Sequence, residues 1–102
     1  MRESQTKSEQ GRIKKYEAIV KEQVDNLDPI GLFPGAPDDE YKNEIRDITL
    51  KLAGLKTPTD IAQMMFVVFA YYFDIHEAKP VSQYLEAALN IYSEMEIIKK
   101  YL

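Results

Sequence analysis

The sequence predicts an all-α fold: a single-domain antiparallel four-helix bundle with a Pro/Gly-rich loop between helices 1 and 2. Three observations predict it. Apolar residues recur at three- and four-residue intervals in successive segments, and no alternating run reads as a strand. The connections between these segments are short, which favours antiparallel neighbours. One segment, 61–75, is apolar on nearly every side, and such a helix has to be enclosed by other elements. Its polar positions Asp60, Gln63 and Asp74 fall on one narrow strip, shared with Ala70.

Residues 1–11 are polar and lack a periodic apolar residue, so they read as a flexible N-terminus ahead of one helical domain over 12–102. In the first helix Ile13, Tyr16, Val20, Val24 and Leu27 share a face, with Glu17 and Lys21 spaced to pair on the outside. Pro29 stops it at Asp28, because the residue before a proline is pushed out of the helical region. Segment 28–40 contains Pro29, Pro34 and Pro37 with Gly31 and Gly35, a content that forbids a regular element. The same segment carries Ile30, Leu32 and Phe33, which either dock onto the bundle or wait for a partner.

A second helix is expected from near Asp38, with Asp38, Asp39 and Glu40 at the positive end of its dipole and Tyr41, Ile45, Ile48 and Leu52 as its apolar stripe. Gly54 is its expected stop, with Leu55 folded back on Leu50. Thr57, Pro58 and Asp60 form the clearest start signal in the chain: an N-cap, a proline in the first turn and a variant of the capping box. The central helix therefore runs from Pro58 to about Asp74. Pro80 opens the last helix, whose stripe is Val81, Leu85, Ala88, Tyr92 and Met95, widened by Tyr84, Ile91 and Ile98.

The totals narrow the function classes. A chain of 102 residues with 45% hydrophobic content has the size and apolar material for one core. Thirteen basic against 17 acidic residues give a net charge of -4, and the only adjacent basic pairs are Lys14-Lys15 and Lys99-Lys100, so no nucleic-acid partner is expected. Segment 61–75 is shorter than the ~20 apolar residues of a membrane span, and no membrane association is expected. The absence of cysteine, and of an apolar run near the N-terminus that could form a signal-peptide core, make the cytoplasm the expected location.

Candidate chemistry rests on carboxylates. Glu40, Glu44 and Asp47 fall on one side of the second helix and Asp38 and Asp39 crowd its start, a set that could hold a hard cation such as magnesium. The run E-I-R-D at 44–47 is similar to the E-x-x-D element of helical nucleotide pyrophosphohydrolases. Those enzymes oppose it with a second acidic pair, which is missing here. An alternative reading is thus a magnesium-dependent nucleotide or phosphate-ester hydrolase using Asp39, Glu40, Glu44 and Asp47. The plainer reading is a solvated helix flank with Asp47 paired to Lys51. His76, the sole histidine, lies in a connector, and neither a nucleophile elbow nor a glycine-rich phosphate loop is present, so no cofactor is implied.

D-P-I-G-L from Asp28 and G-A-P-D-D-E-Y-x-x-E-I from Gly35 resemble the YugE-like family of small bacterial proteins of unknown function. There a W-D-P-x-G-L turn precedes G-A-P-x-D-E-Y and a helix. The match is specific over 28–48 and general elsewhere, and Leu27 stands where the family carries tryptophan. The resemblance implies an all-helical domain in the bacterial cytoplasm and supplies no activity. The reading reached is a non-catalytic protein-interaction or regulatory module, with a protein partner or a second copy as in a homodimer. Ile30, Leu32 and Phe33 are the interface residues expected from the sequence.

Overall fold

A loop tied to the core at one end sets the geometry of this helical domain. The computed structural model describes residues 7–37 and 39–101, so residues 1–6 of the expected flexible N-terminus, Asp38 and Leu102 lie outside the described residues. Among the described residues the elements are α1 (Lys7–Leu27), α2 (Lys42–Lys51), α3 (Pro58–Phe73) and α4 (Leu85–Tyr101), with 3-10 turns at Leu52–Gly54 and Val81–Tyr84 and no strand. The fold is all-α and forms one domain. In α1 the helix already includes Lys7 to Gly11, ahead of the expected start at residue 12. Lys21 pairs there with Asp25 at 2.7 Å.

The helices pack in chain order around one core, and α1 closes the ring against α4. Tyr16, Val20 and Val24 from α1 and Ile45 and Ile48 from α2 are buried, matching the expected faces; α3 buries Ile61, Met65 and Phe69 but, contrary to the enclosure expected of it, leaves Val67 and Tyr71 in solvent because its neighbours cover one side only. Asn90 on α4 donates to Gln23 on α1 at 3.1 Å across the closing seam. Thr49, buried within α2, returns its hydroxyl proton to the Ile45 carbonyl at 2.7 Å, which satisfies it without a tertiary partner.

Several boundaries differ from the sequence expectations for local reasons. The second helix begins at Lys42, because the amides before it turn to nearer carbonyls, Glu40 N–H donating to Pro37 O and Lys42 N–H to Asp39 O. It ends in a 3-10 turn in which Leu55 N–H donates to Leu52 O; Leu55 then packs on the core while Leu50 is left exposed. The start of α3 is as expected: Thr57 Oγ1 accepts from Asp60 N–H at 3.1 Å and Pro58 opens the helix. Beyond Pro80 the chain first winds as a 3-10 turn. Three residues per turn instead of 3.6 advance the phase, so Tyr84 takes the core position and Leu85, expected in the stripe, turns outward.

The loop after α1 carries the most specific contacts. Asp28 N–H still donates to Val24 O at 2.8 Å, but Asp28 adopts φ +49°, a left-handed conformation that aspartate tolerates better than most side chains. This reverses the chain and turns the Asp28 carboxylate into the loop. Oδ1 accepts from Leu32 N–H at 2.9 Å and from the Tyr41 hydroxyl at 2.5 Å, and Oδ2 accepts from Phe33 N–H at 3.1 Å. Gly31 sits at φ +78°, where a side chain would be strained, and the Phe33–Pro34 bond is cis. Tyr41 is fully buried; its oxygen also accepts from Ile30 N–H at 3.2 Å. Its ring meets Phe33, Phe69 and Phe73 edge-on at centroid distances of 5.4, 5.6 and 6.4 Å. One tyrosine therefore joins the loop, the entry of α2 and the C-terminal half of α3.

Tyr41→Phe keeps the ring contacts and deletes the hydroxyl, leaving Asp28 short of a donor and Ile30 N–H short of an acceptor. The expected loss is about 2 kcal/mol of stability, as for a buried hydrogen bond to a charged group. Urea denaturation measures it, with a lower midpoint and an unchanged slope expected.

Candidate functional site

Three places compete for a functional role: the loop, the carboxylates of α2 and the outer side of α3. The loop residues Ile30, Leu32 and Phe33 are each half-buried and packed against the core. Their backbone amides are the donors that Asp28 and Tyr41 engage, so the segment is fastened through main chain and side chain alike. Burial raises the cost of ionising Asp28, but hydrogen bonds from Tyr41 and from the amides of Leu32, Phe33 and Gly31 outweigh it and hold the carboxyl below its usual range. Tyr41 moves the other way, pushed up to about 12 by burial and by donation to the Asp28 carboxylate.

The carboxylates Asp39, Glu40, Glu44 and Asp47 occupy different surroundings. Asp39 and Glu40 are exposed in the turns before α2. Asp47 does not pair with Lys51 as expected; it accepts a 2.6 Å hydrogen bond from the Tyr72 hydroxyl on α3, which pushes the Tyr72 phenol up to about 12. Glu44 departs most from the solvated flank expected of it. It is only 5% exposed, and its Oε1 has no hydrogen-bond partner. Burial raises its pKa against the pull of its own backbone amide, and the charges of Asp47 and Glu40 push it further up. Among the described residues no group of three or more histidine, aspartate or glutamate side chains is placed to hold a metal ion. His76, in the connector after α3, is exposed, and its backbone N–H donates to Asp74 Oδ1 at 2.8 Å.

The outer side of α3 is apolar and open. Val67 is 60% exposed and Tyr71, one turn later, 81%. The run from Ile61 to Phe73 contains no acidic or basic side chain, so this stripe is unbroken by charge. Beside it lies a groove between α2 and α3 of about 380 Å³, lined by Asp47, Lys51, Val67, Val68, Tyr71 and Tyr72. On α4 the exposed apolar residues Leu85 and Leu89 lie one turn apart, and Ile97 stands apart from them among Glu94, Glu96, Lys99 and Lys100. The helical projection contained the signal for the α3 stripe, because Val67 falls inside the strip through Asp60, Gln63 and Asp74 that marks the outward side. Glu44 likewise sits three residues after Tyr41, on the edge of the buried stripe of α2.

The chain matches no family model, no curated protein and no solved structure. Among the described residues no helix is long and apolar enough to cross a membrane.

Glu44→Gln keeps the shape of the side chain and removes its ionisation. Below about pH 4 the glutamate is largely protonated in both states and its ionisation costs nothing. As pH rises, the unfolded chain releases the proton first, so the wild type loses stability up to the raised native pKa and the glutamine variant does not. Urea denaturation between pH 4 and pH 8 is expected to show a difference that grows in favour of Glu44→Gln. A difference independent of pH would contradict this placement of Glu44.

Proposed function

We propose that this chain is a protein-interaction module whose docking face is the outer side of α3, centred on Val67 and Tyr71 and extended by the groove toward α2. The observation that carries the reading is the exposure of these two side chains on a helix without a charged residue between Ile61 and Phe73. Large exposed aromatic residues next to a concave apolar surface are the usual anchors of protein interfaces. Ile30, Leu32 and Phe33, the anchors expected from the sequence, serve the fold in this reading, since they already pack on the core. The resemblance to the YugE-like family is carried by D-P-I-G-L from Asp28 and by the run from Gly35 into α2, and so bears on architecture, with a bacterial cytoplasmic protein as the setting it suggests.

The test places a photo-crosslinking residue at position 71 or at position 33 in cells. Protein adducts are expected from position 71; adducts from position 33 alone would return the interface to the loop. Val67→Ser with Tyr71→Ser is expected to abolish those contacts while changing stability by no more than about 0.5 kcal/mol, as for surface positions. Leu32→Ser with Phe33→Ser is expected to lower the cooperative unfolding midpoint.

A further inference from the structure

We infer that Glu44 is a latch on the α2–α3 seam, closed while its carboxyl holds a proton and parting the outer edge of the seam when that proton leaves. The latch works whether or not a partner docks beside it, although the groove lined by Asp47, Val67, Val68 and Tyr72 lies on the same seam.

Glu44 is 5% exposed, and its Oε1 is buried without a hydrogen-bond partner. A neutral carboxylic acid tolerates that position, whereas a carboxylate there needs donors or a cation. Neither is supplied by the described residues around it. On the same side of α2 stand Glu40, one turn before, and Asp47, one turn after, and both repel a second negative charge. Lys51, two turns on, pairs with neither Glu44 nor Asp47. From α3 the facing groups are the phenols of Tyr71 and Tyr72, since the run from Ile61 to Phe73 holds no base. The Tyr72 hydroxyl is committed to Asp47 at 2.6 Å. The charged groups that α1 brings to α2, Lys14, Glu17 and Lys21, lie around a cavity with Lys42 and Ile45, on the opposite side of α2 from Glu44. The 3-10 turn Leu52–Gly54 carries no titratable side chain.

A proton lost from Glu44 therefore leaves a charge that only water satisfies. Glu44 lies at the edge of the buried stripe of α2, next to the partly exposed Asp47, so an outward turn of this edge hydrates it. The same movement lifts Asp47 off the Tyr72 hydroxyl and undoes the hydrogen bond that crosses the seam. Below the ordinary glutamate range the closed and open forms are both protonated, and pH does not move their balance. Between that range and the raised pKa of the closed form, the open fraction rises by up to about tenfold per pH unit, and above it the balance levels off.

The experiment is backbone NMR relaxation dispersion on wild type and Glu44→Gln between pH 4 and pH 8, with helix content checked by circular dichroism. Wild type is expected to show microsecond-to-millisecond exchange at the amides of Ile45, Asp47, Ile48 and Tyr72, with an open population that grows as pH rises. In Glu44→Gln that population is expected to stay at its pH 4 level throughout. The amides of Val20 on α1 and Ile91 on α4, away from the seam, are expected to show no such exchange. A seam without exchange at any pH overturns the latch, and so does exchange that follows pH equally in wild type and Glu44→Gln. Exchange shared by Val20 and Ile91 overturns it as well, since the whole domain would then be opening.

Discussion

The hydrogen bond from the Tyr41 hydroxyl to the Asp28 carboxylate is the contact on which the arrangement depends. It joins residues 13 positions apart and spans the whole Pro/Gly-rich segment. Asp28 ends α1 in a left-handed conformation and uses the freed carboxylate to collect two loop amides. Tyr41 collects a third and fixes the entry of α2. The amides of Ile30, Gly31, Leu32 and Phe33 thus have partners without forming a helix, which is what a partly buried loop requires. The ring of Tyr41 extends the constraint to Phe69 and Phe73, and Phe69 stacks on Tyr84 at 6.0 Å, so an aromatic chain leads from the loop through α3 to the turn before α4.

This design leaves the other side of α3 unconstrained by the core. α3 supplies its inner face to three partners and presents Val67 and Tyr71 outward. The boundary between the two sides is the α2–α3 seam, where polar side chains mix with apolar ones. There Asp47 is held by Tyr72, while Glu44, one turn earlier, is buried with an unpaired oxygen at some cost to stability. A seam of this kind has a fixed inner layer and an accessible outer one.

Much of the fold was legible in the sequence because it rests on periodicity and punctuation. Tyr16, Val20 and Val24 read as a buried face, Thr57 and Pro58 read as a helix start, and both are so. The phase of α4 was not legible, since nothing in V-S-Q-Y announces a 3-10 turn that rotates Leu85 outward. Asp28 read as a helix stop imposed by Pro29, but its second role, as acceptor for Tyr41, depends on a contact across the loop that local rules do not reach. The loop's apolar residues are ambiguous in the sequence for the same reason: that the Leu32 and Phe33 amides are tied to Asp28 and their side chains pack on the core depends on contacts across the loop. The residue type of Glu44 points to solvent, while its place beside Tyr41 and Ile45, both buried, takes it into the core edge.

Native-state hydrogen exchange of the Ile30, Leu32 and Phe33 amides tests the central claim most directly. If the Asp28–Tyr41 contact fixes the loop as part of the core, these three amides exchange only through the opening that exposes buried helix amides such as those of Ile48 and Phe69, with similar protection and the same response to denaturant. Exchange of the loop amides by a separate, low-energy opening that leaves Ile48 and Phe69 protected would contradict it, and would return Leu32 and Phe33 to the surface available for a partner.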